Sequence, residues 1–144
     1  MTQPCVFCAI VNGEAPASVV YRDDLVIAFM DIRPANQGHV LVVPLEHAEG
    51  ILDISDEAVL ARILSVGRQV AAALPDSGVR QEGFNLFLAN GAVAGQTVFH
   101  VHLHVLPRFT GDGLGFTRHA NVRMPTSSDL DEVAQRIRHA GGWE

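Results

Sequence analysis

Positive charge and long apolar runs are what this 144-residue chain has least of. Ten Lys and Arg stand against sixteen Asp and Glu, a formal net charge of −6. That balance offers no basic footprint to a nucleic-acid backbone, so no nucleic-acid partner is expected. No stretch approaches the roughly 20 apolar residues of a membrane span, and no membrane partner is expected either. The N-terminus, Met-Thr-Gln-Pro-Cys, lacks the charged and apolar regions of a signal peptide, which makes the cytoplasm the expected compartment. Internal repeats, linkers and low-complexity segments are missing too. What is present is a 48% hydrophobic chain, long enough to bury a core as one domain spanning 1–144.

Short apolar runs separated by turn residues predict strands over 18–21, 25–30 and 39–43, the last stopped by Pro44. Ser55 is the expected cap of a helix that opens on Asp56 and Glu57. Val59, Leu60, Ile63, Leu64, Val66 and Val70 then recur at helical spacing through about Leu74. Residues 84–88 alternate as another strand, 109–127 are Gly-rich and polar, and Leu130 to Ala140 reads as a closing helix. The class is α+β.

The run His100-Val-His102-Leu-His104-Val is the most informative segment. As a strand ended by Pro107, it puts all three histidines on one face. The outer two imidazoles then start about 13 Å apart, at roughly 3.3 Å per residue. One metal ion with bonds of about 2 Å cannot take all three, so at least one has another task. Three readings stay open: a solvated polar face, a metal site, and nucleophilic or acid–base catalysis. Imidazole suits the last because it is largely neutral, and so nucleophilic, near pH 7.

Just upstream, Asn90-Gly-Ala-Val-Ala-Gly95-Gln96-Thr97 brings polar groups and flexible backbone to the same place, suited to an anion such as a phosphoryl group. Cys5 and Cys8 are the only two cysteines. They are either structural residues with no joint role or half of a tetrahedral zinc site completed by His47 and His100. Asp31 sits at a strand end, where it either accepts from a ligand hydroxyl or caps the turn. His119 and His139 read as solvated surface.

Assembled, these pieces resemble the histidine triad (HIT) superfamily of nucleotide hydrolases and transferases, from Cys5 to about Arg108. The resemblance rests on His100-Val-His-Leu-His-Val-Leu, Phe29-Met-Asp-Ile-Arg-Pro, Gly38-His-Val-Leu-Val-Val-Pro44 and the Asn90 to Phe99 stretch. It implies a five-stranded antiparallel sheet with one long and one C-terminal helix, the latter in a segment 109–144, paired as a homodimer. It also implies a nucleotidyl hydrolase acting on nucleoside phosphoramidates or dinucleoside polyphosphates. In that reading His102 is the nucleophile, His104 contacts the phosphate, and the His100 carbonyl holds the His102 ring. His39 is an additional active-site histidine. A purine nucleotide would meet Phe7, Ile10, Phe29, Asp31, Ile32, Asn90, Gly95, Gln96 and Thr97. The resemblance further implies structural zinc on Cys5, Cys8, His47 and His100, and no catalytic cofactor. His104 in place of a glutamine favours hydrolysis over transfer to a sugar phosphate. The alternatives are a metalloenzyme with zinc on His102 and His104, a non-catalytic purine-nucleotide-binding module, and a dinucleoside polyphosphate phosphorylase.

Overall fold

The computed structural model describes residues 4–115 and 124–143. The chain forms two compact units, Met1–Leu114 and Gly115–Glu144.

In the first unit five strands make one antiparallel sheet: β1 (Val19–Arg22), β2 (Val26–Met30), β3 (Val40–Pro44), β4 (Gly83–Phe87) and β5 (Leu103–Arg108). Their spatial order is β1-β2-β3-β5-β4. The three inner strands are nearly continuous in apolar residues because both of their faces are covered. Val26, Ala28, Val40, Val42, Leu103 and Val105 meet Ile63, Val66 and Val70 of the long helix α2 (Glu57–Ala73). Ile27, Phe29, Leu41 and Val43 point the other way, toward Phe7 and Ile10 of the short helix α1 (Val6–Val11). Alternation along the strands therefore divides the core into two layers.

Helix α2 and the turn after it, Glu57–Ser77, are long and apolar enough by composition to cross a membrane, with a mean hydropathy of 1.2. The buried Ile63, Val66, Val70, Ala71 and Leu74 account for that composition, since they form the inner face of a core helix. At Gly67 an added Cβ would lie 2.6 Å from Leu103 Cδ2, so glycine is what lets α2 approach β5 this closely.

Several local expectations shift. Asp56, not Ser55, caps α2, its Oδ1 accepting from the Ala58 amide at 2.9 Å. The histidine strand begins at Leu103, leaving His100 and His102 in the irregular segment before it. Pro107 lies inside that strand instead of ending it. β3 pairs with β5 only as far as Val105, so beyond it one edge of β5 is open and needs no amide donor. Helix α1, which sequence periodicity did not suggest, is only six residues long and is capped by Cys5 Sγ accepting from the Cys8 amide at 3.4 Å.

In the second unit, α3 (Ser127–Gly141) starts three residues earlier than the expected Leu130. Thr126 opens it with a capping box, its hydroxyl accepting from the Asp129 amide and the Asp129 carboxylate accepting from the Thr126 amide. His119 lies outside the described residues, and His139 is exposed in the last turn of α3.

Candidate active site and metal centre

Strand register builds the site. Leu41 pairs with His104, and His104 pairs with Phe87, so these three side chains form a row across the sheet on the α1 face. His39 precedes β3 by one residue and lies on the same face, its carbonyl accepting from the Asp31 amide at 3.0 Å. The chain reaches His39 through Gly38, whose φ of +90° belongs to the left-handed region. There a side chain would be strained, and a Cβ would also sit 2.8 Å from Val79 Cγ1.

Hydrogen bonds assign the ring protons. The Ala35 amide donates to His39 Nδ1 at 3.2 Å, so that nitrogen carries a lone pair and the proton of neutral His39 is on Nε2. His39 Nε2 then donates to His104 Nδ1 at 2.9 Å, which leaves the His104 proton on Nε2. His102 Nδ1 lies 2.8 Å from the carbonyl oxygen of His100, which can only accept. Neutral His102 therefore keeps its lone pair on Nε2. The result is one ring with a nucleophilic nitrogen beside another with an N–H donor, their centroids 4.9 Å apart.

Burial favours the neutral forms of His39 and His104. It pulls His39 below its ordinary value, with Asp31 opposing the shift from 3.6 Å. His104 falls to about 4, through burial first and then through its proximity to His102 and His39. Its ring also stacks on Phe87, with centroids 4.1 Å apart and planes 8° from parallel.

Of these rings, His102 and His104 border a cavity of about 450 Å³. Of the residues named from the sequence, Phe7, Ile10, Phe29, Asp31, Ile32, Thr97, His102 and His104 line it. Val6, Pro16, Ala17, Met30, Arg33, Leu41 and Val98 line it as well and were missed. Met30 and Leu41 carry a usable signal, since they extend strands already assigned, whereas Val6, Pro16 and Ala17 arrive only through the α1 segment. Asp31 Oδ1 accepts from the Arg33 amide at 2.8 Å, an Asx turn that leaves Oδ2 toward His39.

Gln96, Asn90 and Gly95 are placed differently. Gln96 is buried, its Oε1 accepting from the Gly91 amide and its Nε2 donating to the carbonyls of Glu49 and Val98. Asn90 Oδ1 accepts from the Ile51 amide at 2.8 Å. Gly95 closes the short 3₁₀ turn Ala92–Ala94 with φ +99°. All three brace the loop that presents Thr97.

The second cluster gathers Cys5, Cys8, His47 and His100, one ligand atom from each lying within 4.8 Å of all the others. Fully buried His100 donates from Nε2 to the Pro44 carbonyl at 2.9 Å, so its Nδ1 lone pair faces the cluster. That nitrogen is 3.4 Å from Cys5 Sγ, 3.5 Å from Cys8 Sγ and 3.2 Å from His47 Nδ1. His47 Nδ1 is 3.3 Å from Cys8 Sγ. A tetrahedron with zinc bonds of about 2.3 Å to sulfur and about 2.05 Å to nitrogen has edges of roughly 3.3 to 3.8 Å. The donor set fits zinc in both chemistry and size. Without a cation, burial pushes the Cys8 thiol up, as does neighbouring Cys5.

Residues 12–111 match the HIT domain. The chain belongs to the HIT family. It is 45% identical over 136 residues to an uncharacterized HIT-like protein of Methanocaldococcus jannaschii, a match covering 93% of this chain and 98% of that one. To an adenosine 5′-monophosphoramidase of Schizosaccharomyces pombe it is 39% identical over 137 residues, again covering 93% and 98%. Among solved structures, a HIT family protein from Bacillus anthracis superposes with a TM-score of 0.86 at 36% identity, covering 97% and 99%. A zinc-bound histidine triad family protein from Mycobacterium smegmatis does so with a TM-score of 0.73 at 40% identity, covering 94% and 96%. In this HIT protein, then, the three histidine rings are divided between two places. His100 turns its ring into the cysteine cluster, while His102 and His104 turn theirs into the cavity.

Proposed function

We propose that this protein is a nucleotidyl hydrolase that cleaves the α-phosphate bond of a nucleoside 5′-phosphoramidate or a dinucleoside polyphosphate. The observation that carries the reading is the bond from His102 Nδ1 to the His100 carbonyl, which leaves the Nε2 lone pair free in the cavity. His102 Nε2 attacks the α-phosphorus, and the bond to the leaving group breaks with its electron pair on the departing atom, which takes a proton. Water then attacks the same phosphorus, the phosphorus–nitrogen bond breaks, and its electron pair returns to Nε2. The products are a nucleoside monophosphate and the protonated leaving group, with one water consumed. Covalent catalysis of this kind divides one hard displacement into two easier ones.

His104 Nε2–H donates to a phosphoryl oxygen as negative charge builds there. His39 keeps His104 in that tautomer. Phe7 and Phe29, with centroids 5.2 Å apart, offer an apolar wall for a purine, and Asp31 accepts from a ribose hydroxyl. Zinc on Cys5, Cys8, His47 and His100 would act as a structural tether between α1 and the segment before β5. The adenosine 5′-monophosphoramidase of Schizosaccharomyces pombe and the zinc-bound Mycobacterium smegmatis structure support this reading. A homodimer with a continuous sheet belongs to it too. The outer edge of β4, unpaired among the described residues and carrying partly exposed Phe84, supports that pairing.

The test follows AMP release from adenosine 5′-phosphoramidate and diadenosine triphosphate by wild type and His102→Ala. Wild type is expected to turn over at least one, and the variant to lose about a thousandfold or more while still binding AMP. Undiminished turnover by His102→Ala would sink the reading.

A further inference from the structure

The ring protons of His39 and His104 both depend on the amide of one exposed loop residue, Ala35. That N–H can only donate, and it donates to His39 Nδ1 at 3.2 Å. In the opposite tautomer His39 would point a proton at the amide and its Nε2 would become an acceptor. His104 would then have to donate from Nδ1 and turn a lone pair, not an N–H, toward the cavity. Pro34 and Ala35 have no side chain that could hold the amide in place. Residues 32–35 and Gln37 are all exposed, and the backbone of such a loop keeps one direction only if it is anchored nearby.

Asn36 supplies the anchor. It is the one half-buried residue between Ile32 and Gln37. Its Nδ2 donates to the Pro107 carbonyl at 2.9 Å and to Asp112 Oδ2 at 3.0 Å, and its own carbonyl accepts from the His39 amide at 3.2 Å. Both side-chain partners can only accept. Pro107 offers a carbonyl on the part of β5 that β3 no longer pairs with. Arg108, from Nε at 2.7 Å and Nη2 at 3.0 Å, holds the Asp112 carboxyl well below the usual carboxylate range, so it stays ionised. The side-chain amide of Asn36 therefore has one orientation. Asp112 is itself fixed by the Phe109 and Leu114 amides. The loop before β3 is in this way tied to the end of the strand that carries His104.

We infer that Asn36 is a positioning residue: its two side-chain bonds hold the Ala35 amide on His39 Nδ1 and so fix His39 and His104 as Nε2–H tautomers. His102 is outside its reach, since the His100 carbonyl sets that ring locally. The effect on the tautomers stands by itself. Its effect on turnover rests on the hydrolase reading, in which His104 Nε2–H meets the phosphoryl group.

Imidazole nitrogen-15 spectra of histidine-labelled protein at about pH 8, where the rings are neutral, read the tautomers directly. A protonated ring nitrogen resonates far from an unprotonated one, and His39→Gln and His104→Gln assign the peaks. Wild type should show both rings protonated on Nε2 alone. Asn36→Ala should populate the other tautomer of His39 and His104 while His102 keeps its own. Asn36→Asp, nearly equal in volume but without the donors, should do the same or more. In AMP release from adenosine 5′-phosphoramidate both variants should lose roughly two- to tenfold in kcat, the scale of one neutral hydrogen bond, with KM little changed. Circular dichroism checks that they fold. Mixed His39 tautomers in wild type, variants with wild-type tautomers, or mixing that extends equally to His102 overturns the inference, and the first of these needs no variant to fold. A wild type that releases no AMP removes the hydrolase reading and leaves the role of Asn36 to be decided by the spectra.

Discussion

His102 is held by the main chain of His100, the same residue whose ring points into the cysteine cluster. The carbonyl of His100 accepts from His102 Nδ1 at 2.8 Å, while its Nδ1 lies 3.4 Å from Cys5 Sγ. Phe7 makes a second connection. It sits between Cys5 and Cys8 in the sequence, and its ring meets His102 edge-on with centroids 5.2 Å apart. Two short paths therefore join the candidate metal centre to the candidate nucleophile.

Zinc removal should accordingly cost stability. A ligand at 100 to 1,000 times its Kd stabilises the native state by about 3–4 kcal/mol, and that contribution is lost with the metal. Chelation or Cys5→Ser is expected to lower the melting temperature by several degrees, with metal content falling from one zinc per chain toward zero. Elemental analysis alongside thermal melts checks both. Unchanged zinc in Cys5→Ser would remove that cysteine from the ligand set.

His104 gives a pH signature. Its ordinary value is 6.5, and burial, aided by His102 and His39, holds it at about 4 in the folded protein. As the pH falls below 6.5 the unfolded chain takes up this proton first. The stability contributed by keeping the ring neutral is thus complete above that pH and is lost between about 6.5 and 4. Its size is on the order of 2–3 kcal/mol, at about 1.4 kcal/mol per pKa unit. Wild type should lose that much more stability than His104→Gln across this window in urea titrations. Parallel pH profiles for the two proteins would refute the assignment.

Gly38→Ala tests the turn that delivers His39. At φ +90°, with Val79 Cγ1 2.8 Å from the added Cβ, the substitution meets both backbone strain and a clash. A loss of about 1–3 kcal/mol is expected, together with reduced turnover as His39 shifts away from His104. Equilibrium unfolding and AMP-release kinetics measure the two effects. An alanine variant of wild-type stability would show that the turn is not constrained in this way.

The two kinds of information divide along physical lines. Local chemistry was legible in the sequence. Period-two and period-3.6 apolar spacing located the strands and α2, because burial on a pleat or on one helix face repeats with those periods. The roughly 13 Å expected between His100 and His104 assumed a strand that the chain adopts only from Leu103, about 3.3 Å per residue being a strand's rise. Cys5 and Cys8 marked half of a candidate metal centre, and Asp31 could be seen at a strand end. What spacing could not supply was distance between segments far apart in the chain. Gln96 and Asn90, polar residues in a Gly-rich loop, look from the sequence like ligand contacts. Their bonds to Glu49 and Ile51 exist only because residues 49–51 fold against that loop. Phe87 stacks on His104, and Phe7 stands edge-on to His102, through the register of β4 with β5 and the packing of α1 on the sheet. Sequence alone singled out most of the side chains that form the two candidate sites. The tertiary structure decided which histidine faces the cysteine cluster and which the cavity, because those orientations depend on partners more than 50 residues away in the chain, such as Pro44 for His100 and His39 for His104.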